Sequence, residues 1–288
     1  MLCSVARPVN AFDLSLNSLD SLLPFAPVLS RLLAELHNDG ASFKKLAEII
    51  ETDSLIAARV LRVVNSPVYH YSGKVSSVSR AVTLLGIQRV RNIALGASVG
   101  RFLTRPITAK RLSRVDFNIH CVAAATMSDL LAQRITTVYA EGAFTAGLLH
   151  SIGHLLLACA LPHLFDELHV MLHRSCLVTS NEVEKEILGF PLTDLSAAAL
   201  ERWRLPEPIV SGVREHRIAP ITEYQPVSLG LLLRCAHDRI SGEESPTSAC
   251  TRGPADTDLP SLAVWQVDEG DLQTQFQREF QAIRAALS

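Results

Sequence analysis

The stretch Glu141 to Ala160, EGAFTAGLLHSIGHLLLACA, limits what this chain can fold into more than any other. From Phe144 to Leu157 it reads as one helix, and Leu148, Leu149, Ile152, Leu155, Leu156 and Leu157 leave it no polar face. A helix that is apolar all round belongs in the centre of a fold, so the other helices must wrap around it. Gly147 and Gly153 each cost roughly 1 kcal/mol relative to Ala in a helix interior, which predicts that a neighbouring helix comes close at each. Pro162 ends the run. His150 and His154 interrupt it, and at a spacing of four they fall on one helical face. A zinc-hydrolase helix carries its general base directly after the first histidine; here that position is Ser151. On this helix alone the two rings fit a metal pair or, more simply, core histidines bonded to backbone and side chains.

The rest of the composition narrows the function classes. With 48% apolar and 19% charged residues, the 288-residue chain has a globular balance and is long enough for one large domain or two small ones. A net charge of −2 argues against a strongly nucleic-acid-seeking or membrane-surface protein. Aromatics at 6% are too sparse for a base-stacking platform. No apolar run reaches the ~18 residues of a membrane span. The N-terminus, MLCSVARPVNAFDLSLNS, lacks the basic start and apolar core of a secretory signal, so a cytoplasmic location is expected. Cys3, Cys121, Cys159, Cys176, Cys235 and Cys250 form no C-x-x-C pair and are expected to be free thiols.

Apolar spacing of helical period recurs along the chain, and no segment alternates as a strand does. Residues 1–17 read as a poorly ordered leader and 18–105 as an N-terminal helical lobe. In that lobe Val28, Leu29, Leu32, Leu33 and Leu36 form one face. Ser42 and Asp53 are expected to cap helices over 43–51 and 54–64, and Asn65-Ser66-Pro67 stops the second. Ser76 or Ser77 opens a helix that ends at Gly86, and another runs from about 87 to 103. In the second lobe, 106–240, a helix over about 115–135 carries His120 and precedes the central helix. Helices are then expected over 161–177, from a cap at Thr179 or Asn181 to Gly189, over 193–203, from Pro208 to His216, and over 229–240. Residues 241–260, rich in Gly, Ser, Thr, Asp and Pro, read as a mobile loop. Residues 261–288 form a C-terminal helix whose Leu272, Phe276, Phe280, Ile283 and Leu287 can dock on the body or on a partner. The expected fold is all-α, with two packed helical lobes.

The segment from Leu46 to Leu95, then AFTAGLLHSIGHLLLA, then ERWRLPEPIVSGVREH resemble the HDOD family, the HD-related output domains. Asn65-Ser66, Leu85-Gly86 and Gly147-Leu148-Leu149-His150 match it in order and spacing, over about residues 19–217. The resemblance implies a second lobe like that of HD-superfamily metal phosphohydrolases, in a generally non-catalytic bacterial signalling module. An active HD enzyme holds metal on a first histidine, a His-Asp pair and a later aspartate, and the metal activates water. By this resemblance His120 stands for the first histidine, His150 for the second and Asp238 for the last aspartate. Ser151 replaces the aspartate of the pair, and a neutral hydroxyl is a poor ligand for a hard cation. His154 stands where lysine is usual. His216 matches a further histidine, but Arg217 follows where a second is common, and Leu192 occupies the region of another. His120, His150, Ser151, His154, His216 and Asp238 are therefore expected to form a vestigial polar pocket, with no metal and no cofactor. Each buried ring in it needs a hydrogen-bond partner, or burial costs roughly 1–3 kcal/mol.

Other features compete for function. Helices 43–51 and 54–64, joined at Thr52-Asp53, resemble a helix-turn-helix in outline, which makes Arg59, Arg62, Arg80, Arg89 and Arg91 candidate nucleic-acid residues. Against this, Glu48, Glu51 and Asp53 lie alongside, and paired helices are the ordinary unit of any bundle. Glu182, Glu184 and Glu186 read as a solvated helix face, Trp203 as a core anchor and Trp265 as the more exposed tryptophan. The expected function is non-enzymatic bacterial signal transduction through a protein partner or small signalling ligand. No receiver, sensor or cyclase-like segment is visible, so the input is expected from elsewhere or by direct binding. One alternative is a divergent metal-dependent phosphohydrolase of nucleotides or cyclic dinucleotides, which needs His120, His150 and Asp238 to converge on an ion. The other is a DNA-binding regulator, which needs the arginines to form one exposed stripe.

Overall fold

Short polar side chains start the helices where local chemistry places them. Ser42 accepts from the Lys45 amide, Asp53 from Leu55 and Ile56, Ser77 from Arg80, and Ser113 from Asp116. Thr179 and Glu182 close a reciprocal capping box. A computed structural model describes residues 10–22, 27–34, 42–69, 74–102, 107–174, 179–241, 259 and 261–287. Its helices are α1 (Ala11–Leu22), α2 (Pro27–Ala34), α3 (Phe43–Glu51), α4 (Ser54–Val64), α5 (Val78–Leu85), α6 (Ile87–Phe102), α7 (Arg114–Ala132), α8 (Ala143–Leu149), α9 (Ile152–Ala160), α10 (Pro162–Arg174), α11 (Ser180–Leu188), α12 (Leu192–Arg202), α13 (Glu207–Glu215), α14 (Leu229–Ser241) and α15 (Glu269–Leu287). Among the described residues the sole strand-like pairing is one parallel bridge, Thr137 to Val227. The fold is all-α.

The apolar stretch is central, as its composition requires. Every residue of α8 is buried, and so is α9 from Ile152 to Ala158. Ala140–Ala160 is long and apolar enough to cross a membrane, contrary to the reading by run length, yet 89% of its most apolar window is buried inside the fold. α8 packs along α7, while α1, α10 and α12 enclose α9. Both glycines permit these approaches. A Cβ at Gly147 would stand 2.7 Å from the Ala124 carbonyl, and one at Gly153 would stand 2.5 Å from that of Leu192.

The stretch is two helices, not one. Nδ1 of His150 donates to the Gly147 carbonyl at 2.7 Å, the acceptor that a continuing helix would give to the Ser151 amide. The His154 amide reaches only three residues back, to Ser151, and the Gly153 amide donates to Ser196 Oγ. The chain turns at His150-Ser151, and this turn builds the site below.

Helices α3 to α6 pack on one another, with α2 against α3 and α6. α15 lies across α4, α6 and α7 and so spans both halves of the molecule, which resolves its docking in favour of the body. α1 begins at Ala11, within the stretch 1–17 that reads as a leader, and runs on to Leu22; it packs on α9 and α12, with Asp20 paired to Arg202 at 2.7 Å. Residues 1–9 and most of the expected mobile loop, 242–258 and 260, lie outside the described residues. Trp265 is buried, its indole donating to the Glu223 carbonyl, and is not the exposed contact expected of it. Cys121, Cys159 and Cys235 are in no disulfide; Cys3, Cys176 and Cys250 lie outside the described residues.

Candidate functional site: a pocket of histidines

Four elements deliver histidines to one point. α7 supplies His120, the α8–α9 turn His150, the end of α13 His216, and α14 His237. The Nε2 atoms of His120 and His150 lie 3.1 Å apart. The His237 ring stands edge-on to both, with centroids 5.3 and 5.6 Å away, and His216 stands edge-on to His150 at 5.5 Å. Ligand atoms of His120, His150 and His237 all lie within 4.8 Å of one another. His120, His150 and His216 are buried and His237 is half-buried.

His150 and His216 are held alike. Each follows the last residue of a helix and turns Nδ1 back to a carbonyl three residues earlier, Gly147 at 2.7 Å and Val213 at 2.8 Å. A carbonyl only accepts, so both rings carry their proton on Nδ1 and offer a lone pair at Nε2. The short approach to His150 then makes His120 Nε2 the donor between those two rings. Burial pushes all four rings below the ordinary imidazole range, His150 to about 4; the Arg217 charge adds to the effect at each, and neighbouring rings add to it at His120, His216 and His237. At neutral pH the pocket is a cluster of uncharged imidazoles.

Beside it lies a buried ion pair that the sequence reading misplaced. Glu184 is not on a solvated face: it is fully buried, accepts from the Leu192 amide at 2.7 Å, and is met by Arg217 at 2.8 Å. Glu182 and Glu186 are exposed, as expected. A signal was present, because Ser180, Val183, Glu184 and Leu188 follow the spacing of the buried face of α11. Arg217, in the place of a family histidine, also bonds Asn181.

The expected pocket residues are sorted by the turn. His120, His150 and His216 come together, and Ser151 is buried next to them in sequence. His154 is not among the three converging ligand atoms, yet it lies close enough for its charge to act on His216 and His237; its ring is 6.1 Å from that of His169 on α10, and neither ring nitrogen has a hydrogen-bond partner among the described residues. Asp238 is half-buried on α14 and is not among the converging ligand atoms; its neighbour His237 is. Successive helical residues point about 100° apart, so only one of the two can face the pocket.

The arginines do not form a stripe. Arg59 donates to the Ala97 carbonyl, Arg89 pairs with Glu279 at 3.0 Å, and Arg91 donates to the Glu141 carbonyl. Arg62 and Arg80 are the exposed pair of the five.

A family model for the HDOD domain matches residues 22–219. The chain belongs to the HDOD family. Solved structures share the fold of this HDOD chain over nearly its whole length. One is an HDOD domain protein of unknown function from Geobacter sulfurreducens, with a TM-score of 0.73 at 20% identity, over 96% of this chain and 97% of that one. Another, from Shewanella amazonensis SB2B, carries the provisional name phosphohydrolase and has a TM-score of 0.69 at 23% identity, over 96% and 98% of the two chains. A third, provisionally named a signal transduction protein, comes from Marinobacter aquaeolei VT8; its TM-score is 0.68 at 24% identity, over 92% of this chain and 59% of that one. A Treponema pallidum (strain Nichols) protein without assigned function is 21% identical over 221 residues, 73% of this chain. The matched region is 40% of that relative, so the HDOD chain spans well under half of its length.

The HD fold implies a metal centre built with carboxylates, and these residues do not fit one. Ser151 stands at the position of the paired aspartate, and the three converging ligand atoms belong to histidines.

Proposed function

We propose that this HDOD chain is a non-catalytic regulatory module of a bacterial cytoplasm, acting by binding a protein partner or a small signalling ligand. One observation carries the reading: the donors that converge where a hydrolytic centre would lie are uncharged imidazoles, and the carboxylate partner of His150 is replaced by Ser151. Metal-assisted hydrolysis needs an ion that lowers the pKa of bound water and a base placed to take its proton. Neutral rings held well below their ordinary pKa are poor bases, and the buried Glu184 carboxylate is taken up by Arg217 and the Leu192 amide. Membership of the HDOD family supports a regulatory role. α15, which touches both halves, is a means by which binding on one half can be felt by the other. A nucleic-acid role is not favoured, because three of the five candidate arginines are engaged with their own chain.

The test is an assay of the purified chain with Mg2+, Mn2+ or Fe2+ against phosphomonoester, phosphodiester and nucleotide substrates. The expected result is the same background rate for the natural chain and His150→Ala. Turnover that disappears in His150→Ala would overturn the reading.

A further inference from the structure

We infer that the histidine pocket is a binding site for a late first-row divalent cation, Zn2+ foremost, held by His120, His150 and His237 with His216 completing the shell. The inference goes beyond the regulatory reading and does not depend on it. Ser151 removes the carboxylate ligand of an HD centre, and His237, which the fold places in the pocket instead of Asp238, supplies an imidazole there.

The distances suit an all-nitrogen shell. With Zn–N near 2.05 Å, two ligands of a tetrahedral ion lie about 3.3 Å apart, and the Nε2 atoms of His120 and His150 are 3.1 Å apart. The third donor, from His237, is within 4.8 Å of both, so it has to draw in by about an ångström or more to join them on one ion. Around such an ion neighbouring imidazole centroids fall about 5 Å apart. The observed separations are 5.0 Å for His120 and His150, 5.3 Å for His120 and His237, 5.6 Å for His150 and His237, and 5.5 Å for His150 and His216, while His216 and His237 stand 6.3 Å apart, so His216 has to draw inward to complete the shell.

The outer shell is also of the kind metal-binding histidines use. A ligating ring normally donates its far N–H to a carbonyl or carboxylate, which fixes tautomer and orientation. His150 and His216 already donate Nδ1–H to Gly147 and Val213, leaving Nε2 with its lone pair. His120 has only to shift its proton from Nε2 to Nδ1 for its lone pair to face the same point. Donors four rings deep and free of carboxylate favour Zn2+, Cu2+, Ni2+ and Co2+ over Mg2+, Ca2+ and Mn2+, which prefer oxygen. Glu184 pairs with the nearby Arg217 and offsets part of the positive charge that the pocket feels from it. Four protein ligands would close the shell, as structural zinc sites are closed, with no position left for a reacting water.

The experiment is equilibrium dialysis of the full chain against Zn2+ with and without excess Mg2+, together with the absorption spectrum of the Co2+-loaded chain. One Zn2+ per chain, undiminished by Mg2+, and an intense tetrahedral Co2+ spectrum are expected. His237→Ala should weaken Zn2+ binding by more than about 100-fold, since even outer-shell changes cost about 10–100-fold. Asp238→Asn should leave affinity unchanged. Absence of stoichiometric Zn2+ from the natural chain overturns the inference without reference to any variant. So does an affinity that falls with Asp238→Asn and survives His237→Ala.

Discussion

The Arg217 guanidinium closes on Glu184 at 2.8 Å, and the Glu184 side chain has no exposed surface at all. The carboxylate also takes the Leu192 amide, so one buried charge ties α11 and the start of α12 to the loop that follows His216. Removing one partner of such a pair leaves an uncompensated charge in low dielectric. Arg217→Ala is expected to lower unfolding free energy by about 3–5 kcal/mol. Glu184→Gln should cost less, because its amide oxygen still accepts from Leu192. Chemical denaturation checks both; an Arg217→Ala loss equal to that of an exposed pair such as Lys44–Glu48 would count against the role assigned here.

Burial holds His120, His150, His154, His169, His216 and His237 below the ordinary imidazole value of 6.5. The unfolded chain therefore takes up protons near pH 6.5 that the folded chain refuses. Stability is full above that pH and is lost as pH falls through 6.5 toward about 4, the value for His150. Each such histidine adds up to about 1.4 kcal/mol per pH unit to the slope. Denaturant midpoints measured between pH 7.5 and 5 should fall steeply over that window; a flat profile would contradict neutral rings in the pocket.

Asp129 has the opposite sign. Burial first, then the Glu279 charge, raises it from 3.8 to about 6, while bonds from Gln133 and Asn92 oppose the shift. Its folded pKa exceeds its unfolded one, so ionisation destabilises the fold as pH rises from about 4 to 6. Asp129→Asn should therefore be more stable than the natural chain at pH 7.5, by up to about 3 kcal/mol. The difference should shrink at pH 5. Paired thermal melts at the two pH values decide it.

Two glycines should respond oppositely to the same substitution. At Gly153 an added Cβ meets the Leu192 carbonyl at 2.5 Å, backbone that cannot move aside cheaply. At Gly96 on α6 nothing lies nearer than 4.0 Å. Gly153→Ala is expected to destabilise by about 1–3 kcal/mol or more, and Gly96→Ala to stabilise by about 0.5–1 kcal/mol through helix propensity. Melting temperatures of the two variants, moving apart from the natural value, are the readout.

Much of the fold was legible because helix starts are local. Ser42, Asp53, Ser77 and Thr179 each bond an amide two or three residues on, so the sequence neighbourhood contains the cause. The turn at His150-Ser151 was not legible, since it depends on an imidazole capturing a carbonyl and on Ser196 from another helix. Helical phase explains the exchange of Asp238 for His237: the resemblance directed attention to an aspartate, and one residue of rotation decides which side chain enters the pocket. Glu184 sat at apolar spacing in plain view but was read by its charge, and Trp265 is buried because a distant carbonyl, that of Glu223, receives its N–H.

What most separates this pocket from a hydrolytic centre is that its donors are imidazoles. X-ray absorption at the zinc edge, on the full chain with one equivalent of Zn2+, reads the donors directly. The expected spectrum has nitrogen scatterers at about 2.0 Å with the multiple scattering of three or four imidazole rings, reduced by one ring in His237→Gln. A first shell of oxygen with carboxylate character, or the spectrum of free aqueous zinc, would contradict it.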